Sequence, residues 1–116
     1  MDIETLKKRL REFAIERDWD KFHTPKNLAS ALSVEASEIL EIFQWLSDEQ
    51  SGSLDQCKLE SVEHELADVF LYLIRLADKL DIDLIDAADR KLKINASKYP
   101  IHLAKGNAKK YTELKD

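Results

Sequence analysis

Residues 59–80 read LESVEHELADVFLYLIRLADKL, and their spacing decides the fold. Leu59, Val62, Leu66, Val69, Phe70, Leu73 and Ala77 recur at steps of three and four, the period of one helical face. The run predicts a helix that ends near Leu80, before the polar Asp81. Beyond it, Asp83 is placed to cap a helix bearing Ile85, Ala88, Leu92 and Ala96. That helix must stop before Pro100, because the residue preceding a proline avoids helical ψ. On the amino-terminal side, Ile3, Leu6, Leu10 and Phe13 mark a first amphipathic helix running to about Trp19. Thr24-Pro25, a cap followed by proline at the first helical position, opens a second. Its rows carry Leu28, Leu32, Glu35, Ile39, Ile42 and Leu46 and fade near Ser47, leaving residues 48–56 as the one clear loop. Four helices with short connections predict an all-α, antiparallel four-helix bundle. Residues 101–116 lack a sustained apolar period and read as a mobile or partner-docked tail behind a domain spanning 1–100. Leu71 and Ile74, opposite the core row, are expected to stay exposed as an assembly surface.

Composition narrows the classes. A chain of 116 residues with 44 % apolar content can bury roughly two thirds of its unfolded surface in one domain. Only Gly52, Gly106, Pro25 and Pro100 punctuate it, too few for the turns of an all-β fold. The net charge is −5, and Lys105, Lys109 and Lys110 are diluted by Glu113 and Asp116. A nucleic-acid polymer is therefore not an expected partner. No run reaches the apolar length of a membrane span, and charges stand where a signal peptide needs an apolar core. The lone Cys57 excludes an internal disulfide and suits a reducing compartment, so the chain reads as cytoplasmic.

Within the apolar helices lie two acidic pairs, Glu35-x-x-Glu38 and Glu65-x-x-Asp68. A three-residue step places side chains on nearly the same helical face. Four carboxylates converging in a small helical core would repel one another and lose hydration, a conflict that a hard divalent cation removes. On spacing alone the pairs fit either such a site or solvated faces partnered by Lys and Arg. A di-iron bundle would need Glu-x-x-His. The residues three before His23, His64 and His102 are Asp20, Ser61 and Tyr99, so the motif is absent. An all-oxygen donor set favours Mg²⁺, with Mn²⁺ as a substitute. His64, on a different face from the motif, reads as exposed.

The pattern Glu35-x-x-Glu38, a long spacer, then Glu65-x-x-Asp68 resembles the signature of the MazG-type all-α nucleoside triphosphate pyrophosphohydrolases. The segment from Arg17 to Leu28 (RDWDKFHTPKNL) is similar to the dCTP pyrophosphatase branch of that superfamily. So are Phe43-Gln44-Trp45, the run from Leu66 to Leu73 (LADVFLYL), and Lys91-x-x-x-Asn95-x-x-Lys98-Tyr99-Pro100. Together these motifs cover about residues 6–100. Many MazG-type proteins carry a second acidic residue just before the first motif glutamate, where this chain has Val34.

The resemblance implies an all-α pyrophosphatase fold and hydrolysis of a nucleoside triphosphate, dCTP or a modified dCTP, to the monophosphate and pyrophosphate. It further implies Mg²⁺ held by Glu35, Glu38, Glu65 and Asp68, with Glu35 or Glu38 acting on the attacking water. Lys91, Asn95 and Lys98 follow one face of the last helix and suit phosphate and sugar contacts, with Tyr99 beside them. Trp19, Trp45 and Tyr72 are candidates for stacking on the base, Phe22 is a further aromatic nearby, and His23 can supply an edge contact. Relatives of this type form homo-oligomers, a tetramer in the dCTP pyrophosphatase branch and otherwise a dimer. Two alternatives stand beside this reading. One is an enzyme like phosphoribosyl-ATP pyrophosphatase, and the other is a non-catalytic helical interaction module whose acids face solvent.

Overall fold

The computed structural model describes residues 1–115, and every regular element among them is helical. The four long helices are α1 (Ile3–Glu16), α2 (Pro25–Phe43), α4 (Gln56–Lys79) and α5 (Leu84–Lys98). Two single turns, α3 (Asp48–Ser51) and α6 (Ile101–Ala104), and two 3₁₀ turns, Asp20–Phe22 and Tyr111–Glu113, complete the order. Each long helix begins on a side-chain cap. Asp2 accepts from the Thr5 amide, Thr24 from Asn27, Asp55 from Lys58 and Asp83 from Asp86, at 2.8–3.2 Å. Such caps satisfy amides that the helix itself cannot pair, at about 1 kcal/mol each.

The first helix stops at Glu16, three residues before the expected Trp19. The cause is a Schellman ending with Asp18 in the left-handed region at φ 54°. The Trp19 amide donates to the Ala14 carbonyl at 2.8 Å and the Asp18 amide to Ile15 at 3.0 Å. The same device ends α4. Asp81 sits at φ 55°, the Ile82 amide donates to Ala77 at 2.9 Å, and the Asp81 amide donates to Asp78 at 3.1 Å. The expected loop 48–56 also differs, because its first residues form α3. Ser47 accepts from the Gln50 amide at 3.1 Å while the Gln50 side chain accepts from the Ser47 amide at 2.9 Å, a full capping box.

The chain divides into two compact units, Met1–Ile82 and a second that begins at Asp83. In the first, α2 packs along α4, and α1 packs on α4 and on the Asp20–Phe22 turn. Ala14, Leu28, Val62, Ile74 and Ala77 form its core, with Leu28 and Ile74 fully buried. This overturns one expectation: Ile74 is interior rather than exposed, and Leu71 is half-buried. The large apolar side chains left in solvent are others, among them Trp45 at 86 % exposure, Leu40 at 62 % and Leu66 at 54 %. In the second unit the residues past Pro100 are not featureless. Tyr111 packs edge-to-face on Tyr99 at 6.2 Å, and the Lys98 ammonium lies 4.6 Å from the Tyr111 ring centre. Among the described residues no helix is long and apolar enough to cross a membrane.

Candidate active site

Packing α2 along α4 brings Glu35, Glu38 and Glu65 together, one carboxylate oxygen from each lying within 4.8 Å of the others. All three are half-buried. One oxygen of Glu35 and one of Glu65, Oε2 in each case, are buried without a hydrogen-bond partner. Anions placed this way resist ionisation. Lost hydration, then contact with Glu38 and Glu65, pushes the Glu35 carboxyl up to about 7. Glu65 is raised as well, first by Glu38 and then by burial. Two orphaned carboxylate oxygens beside a third acid suit a hard divalent cation, which would accept the unused lone pairs and cancel the repulsion.

Asp68, one turn beyond Glu65, is exposed and outside the three-oxygen cluster, although its charge also raises both Glu35 and Glu65. It lines a neighbouring cavity of about 300 Å³ together with Leu10, Phe13, Trp19, His23, Leu71, Tyr72 and Arg75. The acids and the aromatics therefore meet at Asp68. Local structure explains how the Trp19–His23 segment reaches that wall. The left-handed Asp18 turns the chain off α1, and Trp19 packs edge-on against Phe13 at 5.8 Å. The His23 amide donates to the Asp20 carbonyl at 3.0 Å, and Asn27 Nδ2 donates to the Phe22 carbonyl at 2.9 Å, tying the segment to α2.

Of the remaining candidates, Trp45, Phe22 and His64 belong to the first unit. Trp45 stands almost fully exposed just past the end of α2 and does not line the cavity. Phe22 is exposed under the Lys21 ammonium, 5.3 Å from the ring centre. Lys91, Asn95, Lys98 and Tyr99 belong to the second unit, where Asn95 accepts the Tyr99 amide at its carbonyl at 2.9 Å. His64 is exposed, as read from its helical face.

Sequence reasoning missed Arg75. It is 5 % exposed, and its Nη2 donates to Asp20 Oδ1 at 2.5 Å while Nε donates to His23 Nδ1 at 3.3 Å. Lys79 Nζ donates to the same Asp20 oxygen at 2.7 Å. The available signal was a lone arginine on the Glu65, Asp68, Tyr72, Leu76 row, flanked by Ile74 and Leu76. A cation inside an apolar run needs a partner, and Asp20 in the turn was the acid within reach.

An all-helical chain with a carboxylate cluster between α2 and α4 is the class that the fold and site define. Residues 30–114 match the MazG-like family, and the chain belongs to it. It is 42 % identical over 114 residues to dCTP pyrophosphatase 1 of Mus musculus, covering 97 % of this chain and 67 % of that protein. The Homo sapiens dCTP pyrophosphatase 1 is 42 % identical over the same shares. Among solved structures, a pyrophosphatase from Archaeoglobus fulgidus superimposes with a TM-score of 0.79 at 46 % identity. That match covers 84 % of this chain and 91 % of the archaeal one.

Proposed function

We propose that this chain hydrolyses dCTP or a modified dCTP to the monophosphate and pyrophosphate with Mg²⁺, removing unwanted nucleotides from the cytoplasmic pool. Its class, a nucleoside triphosphate pyrophosphohydrolase, follows from the MazG-like family and the dCTP pyrophosphatase relatives. The observation that carries the reading is the acidic cluster, with two buried, unpartnered oxygens on Glu35 and Glu65, joined through Asp68 to an aromatic cavity.

In this reading Glu35, Glu38 and Glu65, with Asp68 at the edge, hold the cation, which supplies neutralising charge to the polyphosphate. Glu35 and Glu38 are the carboxylates assigned to orient the attacking water. Trp19 and Tyr72, which line the cavity, are assigned to stack on the base, and His23 to contact its edge. Trp45, exposed as it is, is assigned to the base through an assembly, and exposed apolar side chains such as Leu40 and Leu66 support a homotetramer or dimer. Lys91, Asn95, Lys98 and Tyr99 are assigned to phosphate and sugar.

The test is incubation of the protein with each of the dNTPs and NTPs plus Mg²⁺, followed by separation of products. Fastest turnover of dCTP to dCMP and pyrophosphate is expected. Release of orthophosphate and a diphosphate, or no turnover of any nucleotide, would refute the reading.

A further inference from the structure

Among the described residues Arg75 is the one charged side chain that is buried. Burying a guanidinium costs several kcal/mol unless its donors are paired. Asp20 takes Nη2 at 2.5 Å, Asp78 Oδ2 stands 3.7 Å from Nη1, and Nε points at His23 Nδ1 from 3.3 Å. An arginine has five N–H donors and no lone pair, so the imidazole nitrogen facing it must be the acceptor. The His23 proton therefore sits on Nε2, which has no hydrogen-bond partner among the described residues, and the ring lines the cavity that also holds Trp19, Asp68 and Tyr72.

We propose that Arg75 is a positioning residue that holds His23 as the neutral Nε2–H tautomer, so that His23 offers the cavity a single N–H donor for an acceptor atom of the ligand. This rests on the reading that the cavity receives the nucleotide. A purely structural role accounts for less. Asp20 already has Lys79 at 2.7 Å, so anchoring the turn to α4 does not require an arginine, nor an Nε aimed at an imidazole. The groups around His23 act together. Asp20 faces it from the 3₁₀ turn, Arg75 and Lys79 face it from α4, and Asp68 shares the cavity wall. Burial first, then Arg75 and Lys79, hold the imidazole below its ordinary value against the opposing pull of Asp20. Protonating Nδ1 would set two donors nose to nose.

Long-range ¹H–¹⁵N correlation spectra of the full chain read the tautomer directly, with or without turnover. The expected result is a protonated Nε2 and a bare Nδ1 on His23. In Arg75→Leu the ring should become a tautomer mixture that protonates at higher pH. Arg75→Lys keeps the charge and the Asp20 pair but lacks the Nε–H donor, so it should show the tautomer mixture while the imidazole stays below its ordinary value. A wild-type His23 with its proton on Nδ1, or an Arg75→Lys spectrum identical to wild type, overturns the proposal. Titrating in deoxycytidine or inorganic pyrophosphate separately locates the acceptor. A shifted Nε2–H resonance with the nucleoside places it on the base, a shift with pyrophosphate places it on a phosphoryl group, and no shift with either rejects the donor role. With dCTP, Arg75→Lys should raise KM about five- to tenfold with little change in kcat, the size of one neutral hydrogen bond. In a His23→Ala background the same change should have no further effect. Loss of nucleotide turnover in the wild type would refute the proposed activity while leaving the tautomer result to stand or fall alone.

Discussion

Glu35 and Glu65 come within 4.8 Å of each other from facing helices, and each leaves one oxygen buried without a partner. In the metal-free protein their ionisation therefore works against the fold. The folded pKa of Glu35 is about 7, above the ordinary 4.5, so between those values the folded state binds more protons than the unfolded one. Stability falls as pH rises through that window. Asp78 has the opposite sign. Held low first by its hydrogen bond to Arg11, it contributes stability that is present above its ordinary value and lost as pH falls through its folded one. Thermal melts without metal, in a His23→Asn background that removes the opposing pull of the lowered imidazole, should peak near pH 4, between the ordinary values of the two groups, and decline by pH 7.5. A Tm that climbs steadily from pH 5 to 7.5 would contradict the geometry.

A divalent cation should reverse that decline. At a hundredfold excess over the dissociation constant it adds about 2.7 kcal/mol of stability. The comparison is Tm at pH 7.5 with EDTA and with millimolar Mg²⁺. Indifference to the cation would leave the acids as solvated faces of an interaction module.

Glu38→Gln removes one of three crowded negative charges, so it should do two things at once. The metal-free protein gains stability at neutral pH, because Glu35 and Glu65 each lose a repelling neighbour. The Mg²⁺-induced rise in Tm shrinks, and turnover of dCTP drops by about a hundredfold or more. Retention of full activity would remove Glu38 from the site.

Most of the fold was legible because its devices are local. The long period of α4, the Thr24-Pro25 start and the Asp83 cap all act within one turn of sequence, and all stand where the residues place them. What the sequence concealed depends on partners far along the chain. Ile74 was assigned to the wrong face because α1, not only α2, packs on α4, so α4 buries a wider stripe than one row. Arg75 looks like a surface residue until Asp20, 55 positions earlier, is brought against it. The α1 ending was missed since its left-handed residue is Asp18 rather than the glycine that normally signals such a turn. Of the site, the acidic pairs were visible from spacing, but that Glu35, Glu38 and Glu65 cluster while Asp68 turns to the cavity is a matter of helix rotation.

Ile74 is at 0 % exposure, so truncation leaves a cavity rather than a solvated gap. Ile74→Ala should cost about 2–5 kcal/mol in urea unfolding, against well under that for an equivalent change at exposed Leu40. Equal costs at the two positions would mean that α4 packs by another face.

Trp19 offers the cavity its largest ring, and stacking on a base is worth about 1–3 kcal/mol. Trp19→Ala should therefore raise KM for dCTP about five- to 150-fold, with kcat less affected. Because a ring face discriminates poorly between bases, the penalty should be similar for dCTP, dTTP and dUTP. A loss confined to dCTP would assign base selection to Trp19 itself.

The two left-handed aspartates offer a test that does not depend on function. An L-residue at positive φ carries strain that glycine does not, and Asp81 sits at φ 55° with its turn closed by backbone hydrogen bonds rather than by its side chain. Asp81→Gly keeps the Ile82 to Ala77 and Asp81 to Asp78 bonds, relieves the steric cost and adds chain entropy to the unfolded state. Relief of the left-handed conformation is the larger effect, so a modest gain of about 0.5 kcal/mol is expected. Asp18→Gly should gain less, because it also gives up the exposed contact with Lys21 at 2.8 Å. Asp81→Val, branched at Cβ, should destabilise the end of α4 at low and at high salt alike, since the cost is steric rather than electrostatic. A more stable valine variant would mean that the turn had abandoned the left-handed conformation altogether.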